Sequence, residues 1–253
     1  MKTRILSSEI DSTTYENTYQ SIINFLSDSK KSGYITVNNV HTIVESALDQ
    51  FYGNIINKGF MALPDGRPLS IIARLKGDKK MKRVFGPTLL EKVLERGQDD
   101  GLRHYFIGST NEILDKMKKK IHILYPKAII CGYLSPPFRE ITKKENNSII
   151  DQIKKSNVDI IWVGLGAPRQ ERWIYDNYST LNHGIMIGVG AGFDYLAGNI
   201  SHAPEWMKNF SFEWLYRLIQ EPQRLWKRYL VTIPIFIFFN ILDLLKIKNF
   251  NKK

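Results

Sequence analysis

Residues 158–172 read VDIIWVGLGAPRQER, and this stretch decides the fold. Val158–Gly164 is a short apolar run with β-branched residues, the length of one buried strand. Gly164, Gly166 and Pro168 then punctuate the chain, and Arg169-Gln170-Glu171 open a helical pattern. A buried strand that turns through glycines into a helix is half of a βαβ unit. The arrangement recurs at Gly184–Val189, where residues 188–194 read GVGAGFD. Working outward, further strands are expected at Arg4–Ile10, Gly33–Val37, Phe60–Pro64, Arg103–Gly108 and Lys127–Gly132. Helix-period segments lie between them at Thr14–Ser29, Asn39–Ile56, Leu69–Lys76, Thr88–Arg96, Glu112–Leu124 and Lys143–Ser156. Ser12 or Thr13, Asn38, Thr110 and Thr142 are the expected N-caps. This alternation predicts an α/β fold: a Rossmann-like, mostly parallel sheet with helices on both faces.

The pattern changes near Asn199, after which only helical signals remain. The expected organisation is therefore a core over 1–197 and an all-helical appendage over 198–253. In the appendage, Trp206, Phe210 and Trp214 form an aromatic stripe at spacing four, and Arg217, Arg224 and Arg228 would share one face of a continuous helix. The tail Leu230–Ile247 is largely apolar but carries Pro234, Asn240, Asp243 and Lys246. Read alone, it is too short and too polar to span a bilayer, and its flanking Lys227, Arg228, Lys248, Lys252 and Lys253 suit an interfacial anchor. A packed terminal helix or an oligomer contact is the competing reading.

The chain has 253 residues, 43% hydrophobic and 24% charged, which excludes a disordered or fibrous protein. Cys131 is the sole cysteine, so no internal disulfide forms and the reducing cytoplasm is the expected compartment. The start, MKTRILSSEIDSTTYE, lacks the apolar segment of a secretory signal. A net charge of +11 favours a polyanionic partner: nucleic acid, an anionic membrane, or a phosphorylated substrate. No nucleic-acid-binding motif accompanies that charge, so nucleic acid is not an expected partner.

In an open parallel sheet, ligands sit beyond the carboxyl ends of the strands. Four loops there stand out: Thr36-Val37-Asn38-Asn39, Leu63-Pro64-Asp65-Gly66-Arg67, the GLGAPRQE loop with Gly166, Arg169 and Gln170, and the GVGAGFD loop with Gly190 and Asp194. Asp65, between Pro64 and Gly66, is either the N-cap of the next helix or a general base for a substrate hydroxyl. Asp194 has the same ambiguity between cap and ligand. Arg83, ahead of a turn into a helix, suits phosphate. There is no DxD motif, Glu9 and Asp11 read as capping residues, and the five histidines lack ligand spacing. Neither a metal nor another cofactor is expected.

The ordered set TVNNVHTI (36–43), LPDGRPL (63–69), RVFGP (83–87), GLGAPRQERWI (164–174), GVGAGFDYLAG (188–198) and APEWM (203–207) with EWLYRLIQEPQRLWKRYL (213–230) resembles the TagA/WecG/CpsF-type bacterial glycosyltransferases. The resemblance covers residues 1–230 or so. It implies inverting, metal-independent transfer from a UDP-sugar to an undecaprenyl-diphosphate-linked saccharide, at the cytoplasmic face of the bacterial inner membrane. It implies further that Asp65 is the catalytic base, and that Thr36 with Asn38 or Asn39 lines the sugar pocket. Arg83 and Gln170 would contact the nucleotide sugar, and Arg217, Arg224 and Arg228 would approach the diphosphates. Gly166, Arg169, Gly190 and Asp194 complete the expected substrate-binding set, and a homo-oligomer through the core is compatible with the family. Departures at Thr88, His202 and Phe210-Ser211-Phe212 leave the donor open among N-acetylmannosamine, its uronic acid, glucose and glucuronic acid. A nucleotide-sugar-binding module without turnover is the alternative, since a doubly wound core alone does not imply catalysis.

Overall fold

A computed structural model describes residues 1–209 and 212–250 of the chain. The elements in order are β1 (Lys2–Ile5), β2 (Ser8–Asp11), α1 (Tyr15–Leu26), β3 (Ser32–Asn38), α2 (Val40–Leu48), α3 (Gln50–Lys58), β4 (Met61–Pro64) and α4 (Arg67–Leu75). They continue with α5 (Gly86–Gly97), β5 (Arg103–Gly108), α6 (Asn111–Leu124), β6 (Ile129–Leu134), α7 (Lys143–Lys155), β7 (Ile160–Gly164), α8 (Arg169–Asn177), β8 (Gly184–Gly188) and α9 (Gly192–Ala197). Three helices follow: α10 (Glu205–Asn209), α11 (Glu213–Gln220) and α12 (Pro222–Leu244).

Six strands form one parallel sheet in the order β4-β3-β8-β7-β5-β6. Its central strands read as apolar runs because helices cover both faces. One face buries Ile107, Ile161, Val163 and Met186 against α2, α3, α4, α7 and α8. The other buries Phe106, Ile160, Trp162 and Ile187 against α1, α5, α6 and α9. The α/β, Rossmann-like class expected from the sequence is the class observed.

Three local expectations need correction. Arg4–Ile10 is not one strand: β1 and β2 pair antiparallel as a hairpin outside the main sheet, turning at Leu6, whose φ is 54°. The hairpin covers the free edge of β4, where the Asp11 carboxylate accepts a hydrogen bond from the Ala62 amide at 2.8 Å. Asp11 thus blunts an exposed edge rather than capping a helix. Asn39–Ile56 is not one helix either, because the Asp49 side chain accepts from the Tyr52 amide and starts α3 afresh. The caps also shift, to Thr14 for α1 and to Asn39 for α2, where Asn39 and Thr42 form a reciprocal capping box. Thr110 and Thr142 cap α6 and α7 as expected.

After α9 the chain is helical. Trp206 and Trp214 fall on separate helices, so the stripe is not one continuous face, and Phe210 lies outside the described residues. Arg217 sits on α11 while Arg224 and Arg228 sit on α12, because the chain breaks at Glu221-Pro222. By length and composition, α12 is apolar enough to cross a membrane, contrary to the expectation for the tail read from Leu230. It starts eight residues earlier than that tail. It is nonetheless docked on the core: Leu225 and Phe236 are buried, Asn240 is enclosed, and Asp243 pairs with Lys76 at the end of α4. Its opposite side exposes Leu230, Val231, Ile237, Phe238, Ile241 and Leu245.

Candidate active site

Two cavities lie side by side along the carboxyl edge of the sheet. The first, of about 420 Å³, sits over β3 and β4 and is roofed by α11 and α12. Its polar lining includes Asn39, His41, Asp65, Arg83, Glu213, Arg217 and Arg228. The second, of about 500 Å³, sits over β5, β6, β7 and β8. It is lined by Ser109, Thr110, Phe138, Gly164, Gly166, Arg169, Gly190, Asp194, Arg224 and Arg228, among others. Arg228 borders both cavities.

Asp65 follows β4 because Pro64 ends the strand, and its amide donates to the Asn38 carbonyl at 2.8 Å. It does not cap the next helix: Gly66 holds that position without a side-chain bond. Instead the Asp65 carboxylate accepts from the Gly86 amide, 2.9 Å away, at the N-terminus of α5. Burial lifts its carboxyl above the usual range, opposed by the Arg83 charge and by the Gly86 amide. A carboxylate so poised is a better proton acceptor than an exposed one. Arg83 donates through Nε to the Asp65 carbonyl, stacks on Phe85 with 4.3 Å to the ring centroid, and pairs with Glu213 of α11.

Beneath this site, Thr36 and Asn38 are fully buried, and Asn38 donates to the Thr36 hydroxyl at 2.9 Å. Among the described residues the Asn38 Oδ1 has no hydrogen-bond partner. Asn39 therefore lines the cavity, and Asn38 and Thr36 form its floor support. Gln170 reaches neither cavity. It is buried, accepts from the Gly190 amide at 3.0 Å and donates to Glu171 at 2.6 Å, and so ties the two glycine loops together. Those loops need their glycines: Gly166 and Gly190 have φ of 79° and 52°, left-handed conformations that side chains disfavour.

A family model described as "Glycosyl transferase WecG/TagA/CpsF family" matches residues 3–249. The chain belongs to that family. It is a glycosyltransferase. Among curated relatives, a Bacillus subtilis (strain 168) protein is 29% identical over 207 residues, covering 82% of this chain and 78% of the relative. A Staphylococcus aureus (strain MW2) protein is 25% identical over 243 residues, covering 94% and 91%. Both are named N-acetylglucosaminyldiphosphoundecaprenol N-acetyl-beta-D-mannosaminyltransferase.

In this glycosyltransferase the three appendage arginines divide between the cavities. Arg217 lines the first and Arg224 the second, and both grip Glu221, at 2.9 Å for Arg217. Burial and the neighbouring Arg224 and Arg217 lower the Arg228 pKa, the signature of a cation crowded by like charge. No carboxylate pairs with Arg228 among the described residues, so its charge points toward the cavities. The sequence reading missed Glu213, whose signal was its place at the head of EWLYR, and which bolts α11 to Arg83. It also missed His41, which burial, helped by the Arg228 charge, holds near pKa 4 and hence neutral at pH 7. Among the described residues no group of three or more His, Cys, Asp or Glu side chains is placed to hold a metal ion.

Proposed function

We propose that this enzyme transfers N-acetylmannosamine from its UDP-sugar, with inversion, to the N-acetylglucosamine of an undecaprenyl-diphosphate lipid in cell-surface polysaccharide synthesis. The observation that carries the reading is the pair of cavities meeting at Arg228, one holding a carboxylate and the other glycine loops at helix N-termini. The names of the relatives support the donor and acceptor sugars.

The donor diphosphate would lie in the second cavity, against the backbone of Gly166 and Gly190, with Arg169, Arg224 and Arg228 as cations and Asp194 beside the glycine loop. The acceptor would enter the first, with Asn39 and Arg83 at its sugar and Arg217 at its diphosphate. Asp65 takes the proton of the acceptor hydroxyl as that oxygen attacks the anomeric carbon. The bond to UDP breaks on the opposite face, and its electron pair leaves with the β-phosphate. Cations and helix N-termini would carry this developing charge, which a metal ion carries in other transferases. Residues 198–253 would serve as the helical appendage that supplies Arg217, Arg224 and Arg228. The exposed face of α12 would rest in the interface of the cytoplasmic leaflet as a peripheral contact.

The test is to incubate the protein with a panel of UDP-sugars and a lipid-diphosphate N-acetylglucosamine, and to identify the product by mass and anomeric configuration. A β-linked N-acetylmannosamine product is expected. Binding of UDP-sugars with no product from any of them would assign the chain to a binding module instead.

A further inference from the structure

The first cavity has a charged side and an apolar one. The apolar wall is built by Ile71 and Ile72 of α4, Trp214 of α11, and Ile233, Phe236 and Ile237 of α12. It is graded: Phe236 is 4% exposed, whereas Ile71 and Ile237 at the outer end are 48% and 54% exposed. On its α12 side the Thr232 hydroxyl is already spent on the carbonyl of Arg228, and the Tyr229 phenol lies one turn nearer the charged end. At the inner end stand the charges of Arg217 and Arg228. At the outer end the groove opens beside exposed Leu75, Phe238 and Ile241, with Arg74, Lys79 and Lys80 exposed nearby in sequence on α4 and its following loop.

We propose that this groove between α4 and α12 holds the first isoprene units of the acceptor's polyprenyl chain, an inference that rests on the acceptor assignment above. The ligand it fits is anionic at one end and branched hydrocarbon from there outward, which matches a prenyl diphosphate and not a free phosphate or a soluble sugar. The outer end coincides with the apolar face of α12, so the chain passes from a lipid surface into the groove without crossing water. α4 thereby joins α12 as an element that meets the membrane, a role its sequence, RPLSIIARLKGDKK, did not announce.

The test measures binding of methyl diphosphate and geranyl (C10) diphosphate by titration calorimetry, without detergent or membrane. Burying a few of the added carbons gives a geranyl ligand about 10–100-fold tighter than the methyl one, at roughly fourfold per buried methylene. In the variant Ile71→Asn/Ile237→Asn that ratio falls toward one, while in Ile123→Asn, an exposed isoleucine on α6, it persists. Equal affinities in the wild type, or a ratio that survives the double substitution, overturn the proposal. So does a wild-type dimer that the double variant dissolves in sedimentation while the two ligands bind alike, which gives the groove to a second copy. Because the measurement needs no turnover, a failed sugar transfer with an intact ratio counts against the acceptor sugar and the catalytic reading, not against the groove.

Discussion

Replacing Asp65 with asparagine separates chemistry from architecture at the centre of the site. The asparagine Oδ1 can still accept from the Gly86 amide at 2.9 Å, and the Arg83 bond to the Asp65 carbonyl is a backbone contact that survives. What disappears is one negative charge, and with it the ability to take a proton. General-base catalysis contributes about 10²–10⁴-fold, or roughly 3–5 kcal/mol of barrier, and the turnover loss is expected in that range. Stability should move little. A carboxylate at a helix N-terminus is worth about 0.3–1 kcal/mol, and its loss is offset by no longer burying a charge. For a chain of this size 1 kcal/mol corresponds to about 2–4 °C in Tm, so the shift stays within a few degrees. The sign follows from the raised carboxyl pKa: the protonated form is favoured on folding, so its contribution to stability is present at low pH and is lost as pH rises through the folded value. Asp65→Asn should therefore be relatively better tolerated at neutral pH than in acid. In activity, the wild-type acid limb should fall above the usual aspartate range, and the variant should lack it. The assays are single-turnover transfer across pH and thermal melts. Intact turnover, or a melt lowered by ten degrees or more, would refute the reasoning.

The division of the arginines predicts a split in kinetics. Arg224→Ala should raise KM for the UDP-sugar about tenfold or more with a smaller effect on the lipid acceptor, and Arg217→Ala should do the reverse, as measured by varying each substrate in turn. Transfer should continue in excess EDTA, because arginines and helix N-termini face the donor cavity; a strict requirement for Mn²⁺ or Mg²⁺ in the same assay would sink that account. Replacing the exposed Leu230, Phe238 and Ile241 of α12 with serine should cut cosedimentation with anionic vesicles at least tenfold while leaving the melt intact. Truncation before Leu230 is a poorer test of membrane contact, since it also removes buried Phe236 and the Asp243–Lys76 pair and should lower the melt as well.

The strands that carry the glycine loops were legible because they are buried on both faces and so read as apolar runs closed by glycine. The hairpin was not, because its turn at Leu6-Ser7 carries none of the glycine or asparagine that marks such turns, and a leucine takes the left-handed backbone instead. The break between α2 and α3 was hidden for a related reason. Asp49 interrupts the helix by offering its side chain to the Tyr52 amide, and an aspartate within a periodic pattern looks the same whether it caps or faces solvent. One residue of register decided the floor of the site: with Asn39 rather than Asn38 as cap, Asn38 belongs to β3 and points into the interior. The arginines were found as a set, but their partition needed the Glu221-Pro222 break to turn α12 away from α11. Gln170 was visible as a polar residue at a loop and misjudged as a finger, since burial is a property of the loop's neighbour and not of its own sequence. The tail's two-sidedness was beyond reach, because its polar Asn240 and Asp243 turn toward the protein while apolar residues stay exposed, so polarity does not mark the side that meets protein.

A guanidinium that borders both cavities makes the two substrates answer to each other. On the proposed assignment, UDP would remain on one side of Arg228 after transfer and the elongated lipid diphosphate on the other, so each product would hold a cation that the next incoming anion needs. Inhibition by UDP should therefore not be purely competitive with the sugar donor; it should also depress the apparent affinity for the lipid, and by linkage the lipid should change the affinity for UDP by the same factor. The order in which the two products depart then becomes a property of one side chain on a helix that was never part of the sheet.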